Sequence, residues 1–446
     1  MPTELPQTWA RHGRPLISVE DAWADLATHV EPLPTRTKPL RECAGLILAS
    51  PVTAQNDYPP FDKALMDGFA VRAADCASTG ASLRIAGLTV AGAASDQALE
   101  PGTAMRINTG APLPHGADAV IPIEKTTIAA DSALVAINTT IELGKNMERR
   151  AAIRKAGDTI LDAPALLTPG RIAAIAAAGV GQIDVRHRPR VAALLTGNEV
   201  VPAGSPLKPG QIHDSNGPML SALLAQLGAA SCRVLHSPDD PERLAKQLKE
   251  ALNEPVVVIV GGMSMGTHDL VPAAGESLGV QWQWHGVAMR PGRPVAYGRG
   301  KHGQHVFGLP GNPVSVFVCS WLFVKPVLDG LSGSMWHRFP TGELVNRFPT
   351  GSTGEQSSTY EETPRSLCIR HAVLSVDLKP HSDPRPAFVP AIVRSEKDGR
   401  VMIEPCKWQG SGDPFALADA NALLIRRKPS TAQPSGSIAE YIAICQ

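Results

Sequence analysis

Between residues 188 and 333 one rhythm repeats: a short apolar run, then a segment with apolar residues at helical spacing. RVAALLTG, SCRVLHSP and VVVIVGG read as strands without polar alternation, and PMLSALLAQLGA and PERLAKQLKEALN read as the helices that follow two of them. Strands apolar on both faces, each followed by an amphipathic helix, predict a parallel sheet covered on both sides. The segment 312–331, NPVSVFVCSWLFVKPVLDGL, predicts a long apolar helix closing that domain.

The flanks follow other patterns. Residues 17–30, ISVEDAWADLATHV, predict a helix with Ser18 as its cap and Asp21 three positions on. From about 50 to 148 short alternating segments (SLRIAGLTV, TAMRINTG, DAVIPIE, ALVAINTTIEL) separated by Gly, Pro and Asp predict a compact β-rich module. LTPGRIAAIAAAG, 167–179, returns to a helix with proline in its first turn and glycine after its last, so the β-rich module reads as an insertion between helical pieces. After a turn-rich stretch, GSTGEQSSTYEETPRS, the region from about 366 to 446 is β-patterned.

Composition narrows the class. A chain of 446 residues with 43% hydrophobic content can bury several cores, which predicts two to four domains. Lysine plus arginine equals aspartate plus glutamate at 42 each, removing the case for whole-protein attraction to nucleic acid or to an acidic membrane. The seven cysteines are scattered and odd in number, with neither CxxC nor a zinc-like Cys/His spacing, which predicts reduced thiols in a cytosol. MPTELPQTWARHGRPL lacks the apolar core of a signal peptide, and no apolar run is expected to approach the roughly 18 residues that span a bilayer. The expectation is a soluble, cytoplasmic protein with no nucleic-acid or membrane partner.

Ligands of open parallel sheets sit at the carboxyl ends of the strands. Here those ends carry Thr196, Gly197, Asn198 and Glu199, then Asp239 and Asp240, then Gly261, Gly262, Ser264 and Asp269. Glycines exposing backbone N–H groups suit phosphate oxygens, and the nearby carboxylates become compatible with phosphate if a hard divalent cation such as Mg²⁺ lies between. Plainer readings stand beside this one: the Gly-Gly pair as a tight turn, and Asp239 and Asp240 as caps of the helix from Pro241. RPGRP, 290–294, sets two guanidinium groups three residues apart on a stiffened loop, a pattern suited to oxyanions. GLPGNPVSV adds Gly308, Gly311, Asn312 and Ser315, although Pro-Gly-Asn-Pro is also an ordinary stiff turn. In the β-rich module the polar loops carry Asp62, Asp67, Thr109, Gly110, Asp118 and Glu124, and Asp67-Gly68 by itself reads first as an ordinary turn. No GxxxxGK[ST] occurs in the chain.

PPFDKALMDGFAVRAAD, RINTGAPLPHGADAVIPIE, RVAALLTGNEV, GQIHDSNGPML, GGMSMGTHD, VAMRPGRP and GLPGNPVSV, in that order, resemble the molybdopterin molybdenumtransferases, or molybdenum insertases, a family that includes the C-terminal domain of gephyrin. The resemblance covers about residues 15–331 and extends weakly through WQGSGDPFALADANALLI, 408–425. It implies an elongated homodimer of multidomain α/β plus β subunits. Their parts would be a linker domain (15–50 with 149–187), an inserted β-rich module (51–148), a three-layer α/β/α molybdopterin-binding domain (188–333) and a C-terminal β-barrel (334–446). It further implies that adenylylated molybdopterin and molybdate are the substrates and that molybdenum cofactor and AMP are released in a divalent-cation-dependent step. Molybdopterin adenylyltransferase and molybdoenzymes are the implied partners.

Carried over by motif, the catalytic positions are Asp67, Thr109, Glu199, Asp239 and Asp269, with Glu199, Asp239 and Asp269 as Mg²⁺ ligands and Asp67 facing the partner subunit's cleft. Substrate binding falls to Gly261, Gly262, Ser264, Arg290, Arg293, Gly311, Asn312, Ser315 and Ser411. Three places depart from the family pattern. Arg290 and Arg293 stand where KPGKP has lysines, Ile153 in ERRAAIRKAGD stands where R-x-x-GED-I has an acid, and Asn198 in TGNEV replaces the aspartate of TGDEL. The last two each remove a carboxylate, which keeps open a second reading: a catalytically weakened paralogue that binds molybdopterin or the finished cofactor and delivers it to molybdoenzymes.

Overall fold

The structure, a computed structural model, describes residues 16–92, 97–128, 133–263, 270–334, 367, 369–427 and 431–444. The chain divides into two compact units, one spanning 37–185 and the other combining the N-terminal segment to Arg36 with everything from Arg186 onward.

In the first unit a six-stranded mixed sheet runs in the order Ala119–Pro122, Gly68–Val71, Thr103–Ile107, Ala81–Thr89, Leu134–Ile137, Thr126–Ile128. One face buries Phe69, Val71, Leu83, Ile121, Val135 and Ile137, matching the alternation that the sequence shows. The helix Pro169–Ala177 begins with proline in its first turn behind the cap Thr168 and gives way to Gly179 in the left-handed region at φ 85°.

The second unit is built on another six-stranded sheet, in which Ser231–Ser237, Arg190–Thr196, Val256–Val260 and His305–Leu309 are parallel neighbours in that order. Two further strands, Ala296–Arg299 and Gln281–His285, complete the edge and are antiparallel. Their connections, 286–295 and 300–304, are too short for the crossover that parallel strands require, so the sheet is mixed rather than wholly parallel. The helices Asn216–Gln226 and Pro241–Ala251 cover opposite faces, the first over Ala193 and Leu195 and the second over Ala192 and Leu194.

The predicted closing helix runs from Pro313 to Leu331, with a π-helical stretch at Ser320–Val324. Its length and composition correct the expectation about apolar runs: at 19 residues and mean hydropathy 1.6 it is long and apolar enough to cross a membrane. It is instead a core element, 83% buried within the fold. The N-terminal helix Val19–His29 packs on it, with the Trp23 indole N–H donating to Leu322 O at 2.7 Å. Ser18 caps that helix as predicted, accepting from Asp21 N at 2.9 Å. A closed five-stranded barrel, Ile369–Leu374, Val401–Pro405, Ala387–Ser395, Ala422–Arg426 and Ile438–Ala443, shares this core through Phe388, Leu423 and Ile425.

Candidate active site

The four parallel strands end on one edge of the sheet, at Thr196, Ser237, Val260 and Leu309. Gly261 turns the chain there with φ 89°, and a Cβ on it would lie 2.6 Å from Thr196 Oγ1, so only glycine fits. Its N–H donates to Leu309 O at 3.1 Å, and a Cβ on Gly311 would come within 4.0 Å of Gly261 Cα. The two glycine turns therefore adjoin. Asn312 Nδ2 donates to Ser411 Oγ at 2.8 Å and Val314 N donates to Ser411 O at 3.1 Å, which ties the barrel's QGS loop to the same corner. Asn216 Nδ2 donates to Gly311 O at 2.8 Å, bringing in the DSN segment. Ser315, by contrast, is buried inside the first turn of its helix at 3% exposure.

The acidic end is organised by a reciprocal pair of side chains. Asn198 N donates to Asp239 Oδ2 at 3.3 Å, and Asp239 N donates back to Asn198 Oδ1 at 3.1 Å, locking the first two strand-end loops together. Asp240 takes the capping role, accepting from Arg243 N at 2.8 Å, which leaves the Asp239 carboxylate on the exposed loop. Glu199 is exposed too, its carboxylate folded back against Gly197. A cleft of about 220 Å³ opens between these two loops, lined by Thr196, Asn198, Val200, His236 and Ser237 among others.

Arg290 and Arg293 lie on the loop joining the two antiparallel strands, at the same edge of the sheet but outside the walls of that cleft. Both are exposed, and the Arg290 backbone is fixed by the barrel: Arg290 N donates to Pro386 O at 2.9 Å and Phe388 N to Arg290 O at 2.8 Å. Four strand steps separate Ser237 from Ala296, about 19 Å at the usual spacing. Gly262 follows Gly261 at φ 63°, whereas Ser264 and Asp269 lie outside the described residues. Among the described residues no group of three or more His, Cys, Asp and Glu gathers as a metal site, so the trio Glu199, Asp239 and Asp269 is not assembled by what the structure describes.

In the 37–185 unit, Asp67 and Thr109 are brought together. Thr109 N and Thr109 Oγ1 both donate to Asp67 Oδ1, at 2.6 and 2.9 Å. The backbone N–H first, and the hydroxyl second, hold the Asp67 carboxyl below its ordinary range. The neighbouring loop pairs Arg150 with Asp57 at 2.5 Å and Arg149 with Asp62 at 3.1 Å, and its Ala151 sits at φ 61°. Ile153 on that loop is 47% exposed, so it serves no core.

Sequence reasoning missed a further pair. His236 Nε2 lies 3.0 Å from Asp214 Oδ2, and Asp214 Oδ1 accepts from Gly217 N at 2.8 Å. The available signal was Asp-Ser-Asn-Gly ahead of an apolar run, a helix-start pattern with the acid three residues before the N–H it receives.

Comparison with known proteins agrees along the chain. Residues 17–179 match the MoeA N-terminal region (domain I and II), 192–330 a probable molybdopterin binding domain, and 371–444 the MoeA C-terminal region (domain IV). A molybdopterin molybdenumtransferase of Bacillus subtilis (strain 168) is 31% identical over 412 residues, covering 91% of this chain and 89% of that one. One from Nostoc is 40% identical over 65% of this chain and 67% of its own. Among solved structures, the molybdopterin biosynthesis MoeA protein from Pyrococcus horikosii superposes with a TM-score of 0.76 at 27% identity, covering 97% of this chain and all of that one. With domain models matching along the chain and a relative covering nine-tenths of its length, the chain belongs to the molybdopterin molybdenumtransferase (MoeA) family.

Proposed function

We propose that this protein is a molybdenum insertase that takes adenylylated molybdopterin and molybdate and releases molybdenum cofactor and AMP. The observation that carries this reading is the shared corner in which Gly261, Gly311, Asn312 and Ser411 adjoin, on the same sheet edge as the Asn198–Asp239 lock. An edge about 19 Å long, glycine-lined in the middle, suits an extended pterin nucleotide better than a compact ligand.

The roles follow from the donors present. Backbone N–H groups of Gly262, Gly311 and Asn312 face phosphate oxygens, which need the close backbone approach that Gly261 and Gly311 allow. Asn312 and Ser411 orient one another and offer neutral hydrogen bonds at the same corner. Arg290 and Arg293 hold anionic groups toward the other end, with forked donors in place of point charges. Glu199 and Asp239 supply only hard oxygen donors and both stand exposed, so they fit Mg²⁺, which takes one or two carboxylates and keeps water and phosphate oxygens for its other positions. An Mg²⁺ held by these two carboxylates would supply positive charge to the phosphate oxygens. Asp269 and Ser264 join this set through their motif.

Asp67, fixed by Thr109, acts in the active site of the partner subunit in a homodimer. The four-domain division given by the family motifs, with boundaries at 15–50 and 149–187, 51–148, 188–333 and 334–446, follows from the same reading. So do a cytoplasmic location, supply of substrate by a molybdopterin adenylyltransferase and delivery of product to molybdoenzymes. The test is release of AMP from adenylylated molybdopterin with and without molybdate and Mg²⁺. Folded protein that binds the cofactor but releases no AMP would point instead to the delivery paralogue.

A further inference from the structure

His236 occupies the second-to-last position of its strand and lines the cleft between the acidic loops. Cys232 and Val234, on the same face of that strand, pack into the core beside Leu220 and Leu224, so alternation turns His236 toward the start of the helix Asn216–Gln226. There it meets Asp214, whose side chain is 7% exposed. A carboxylate oxygen only accepts, so the hydrogen between them sits on His236 Nε2. Gly217 makes this possible, because a Cβ on it would stand 2.4 Å from Asp214 Oδ2.

Leu195 stands beside His236 in register, the helix Asn216–Gln226 carries no charged residue, and the nearest acid along the chain, Asp239, is engaged with Asn198 N. A buried carboxylate needs a donor, and any N–H would serve that purpose. Yet this imidazole is 54% exposed into a cleft, and among the described residues its Nδ1 has no protein partner. A ring anchored at one nitrogen and open at the other is an arrangement for contacting a ligand.

We propose that His236 is a substrate-contacting residue, oriented through Nε2–H by Asp214 so that, with hydrogen on both ring nitrogens, Nδ1–H donates to an oxyanion oxygen held in the strand-end cleft. The shared chemistry is a tetrahedral oxyanion, either the phosphate of the adenylyl group or molybdate. This rests on the insertase reading for the identity of the ligand, while the cleft geometry stands by itself.

Three variants separate contact from anchoring. His236→Gln keeps an N–H near the Nε2 position for Asp214 but offers nothing at Nδ1, His236→Asn does the reverse, and His236→Ala removes both. Each full-length protein is titrated with AMP and, separately, with molybdate, and KM and kcat for AMP release are measured beside thermal midpoints. The expected result is a Gln variant that melts like the parent but binds one oxyanion about tenfold more weakly, with KM rising more than kcat falls, and an Asn variant that recovers part of the loss. Weakening confined to AMP assigns the phosphate, and weakening confined to molybdate assigns the metal oxyanion. A Gln variant equal to the parent in both titrations and in KM overturns the proposal and leaves His236 as the donor that satisfies Asp214. Failure of the parent to release AMP, with either titration still sensitive to the Gln substitution, would count against the insertase reading alone.

Discussion

Asn198 holds Asp239 through two hydrogen bonds, one from each backbone N–H, and does so without bringing a second negative charge to the loop. Replacing it with aspartate keeps the acceptor for Asp239 N–H and sets two carboxylates side by side, an arrangement that a divalent cation relieves. We expect Asn198→Asp to lower the Mg²⁺ concentration for half-maximal AMP release several-fold. Combined with Ile153→Asp, which costs no core packing at a position 47% exposed, it should raise kcat/KM. An Mg²⁺ titration of the single and double variants checks this, and an unchanged half-saturation removes the cation-binding role from position 198. His305 makes a different residue-scale case. It is buried in the sheet with Arg299 Nη1 donating to its Nε2 at 2.7 Å and Tyr297 Oη 2.9 Å from its Nδ1. Burial first, and the Arg299 charge second, push its pKa from the usual 6.5 down to about 3. Between those values the unfolded chain takes up a proton that the folded one refuses. Its contribution is therefore complete above pH 6.5 and is lost as pH falls toward 3, by about 1.4 kcal/mol per pH unit at most. Denaturant unfolding across that window should be less pH-dependent in His305→Gln than in the parent.

At the scale of elements, the loop after Met147–Glu148 carries Ala151 at φ 61°, where a side chain costs about 1–2 kcal/mol. Ala151→Gly should recover part of that, about 1 kcal/mol after the greater freedom of glycine in the unfolded chain is subtracted, and a thermal melt that moves down instead would show the left-handed turn is not strained. This conformation was invisible in ERRAAIRKAGD, because nothing local marks an alanine for the left-handed region. What could be read from sequence was what depends on neighbours: the Ser18 cap, the proline and glycine that bracket Pro169–Ala177, and the unbroken apolar run of the parallel strand Val256–Val260 in the mixed sheet. Contacts between distant segments were not legible. Asp239 and Asp240 looked alike as caps, and only the position of Asn198, 41 residues away, separates their roles. His236 and Asp214 are likewise 22 residues apart. The helix Pro313–Leu331 was underestimated as an apolar run because Lys325 and Asp329 punctuate it, yet they pair with each other at 2.6 Å one turn apart and stay largely buried.

For the whole molecule, the equal counts of acidic and basic residues leave binding to local arrangements rather than a global field. If Asp67 of one subunit serves the cleft of the other, the two kinds of defect complement each other. Mixing Asp67→Asn and Asp239→Asn chains, each inactive alone, then creates heterodimers in which one of the two sites is intact. Recovery of AMP release on co-expression is the expected outcome, and absence of recovery despite heterodimer formation would place Asp67 with its own chain. The most direct test of the central claim is the reaction itself: AMP released from adenylylated molybdopterin by the purified full-length protein, assayed beside the Bacillus subtilis relative. The prediction is release that requires both molybdate and Mg²⁺. Folded protein that releases no AMP under conditions where the relative turns over would contradict it.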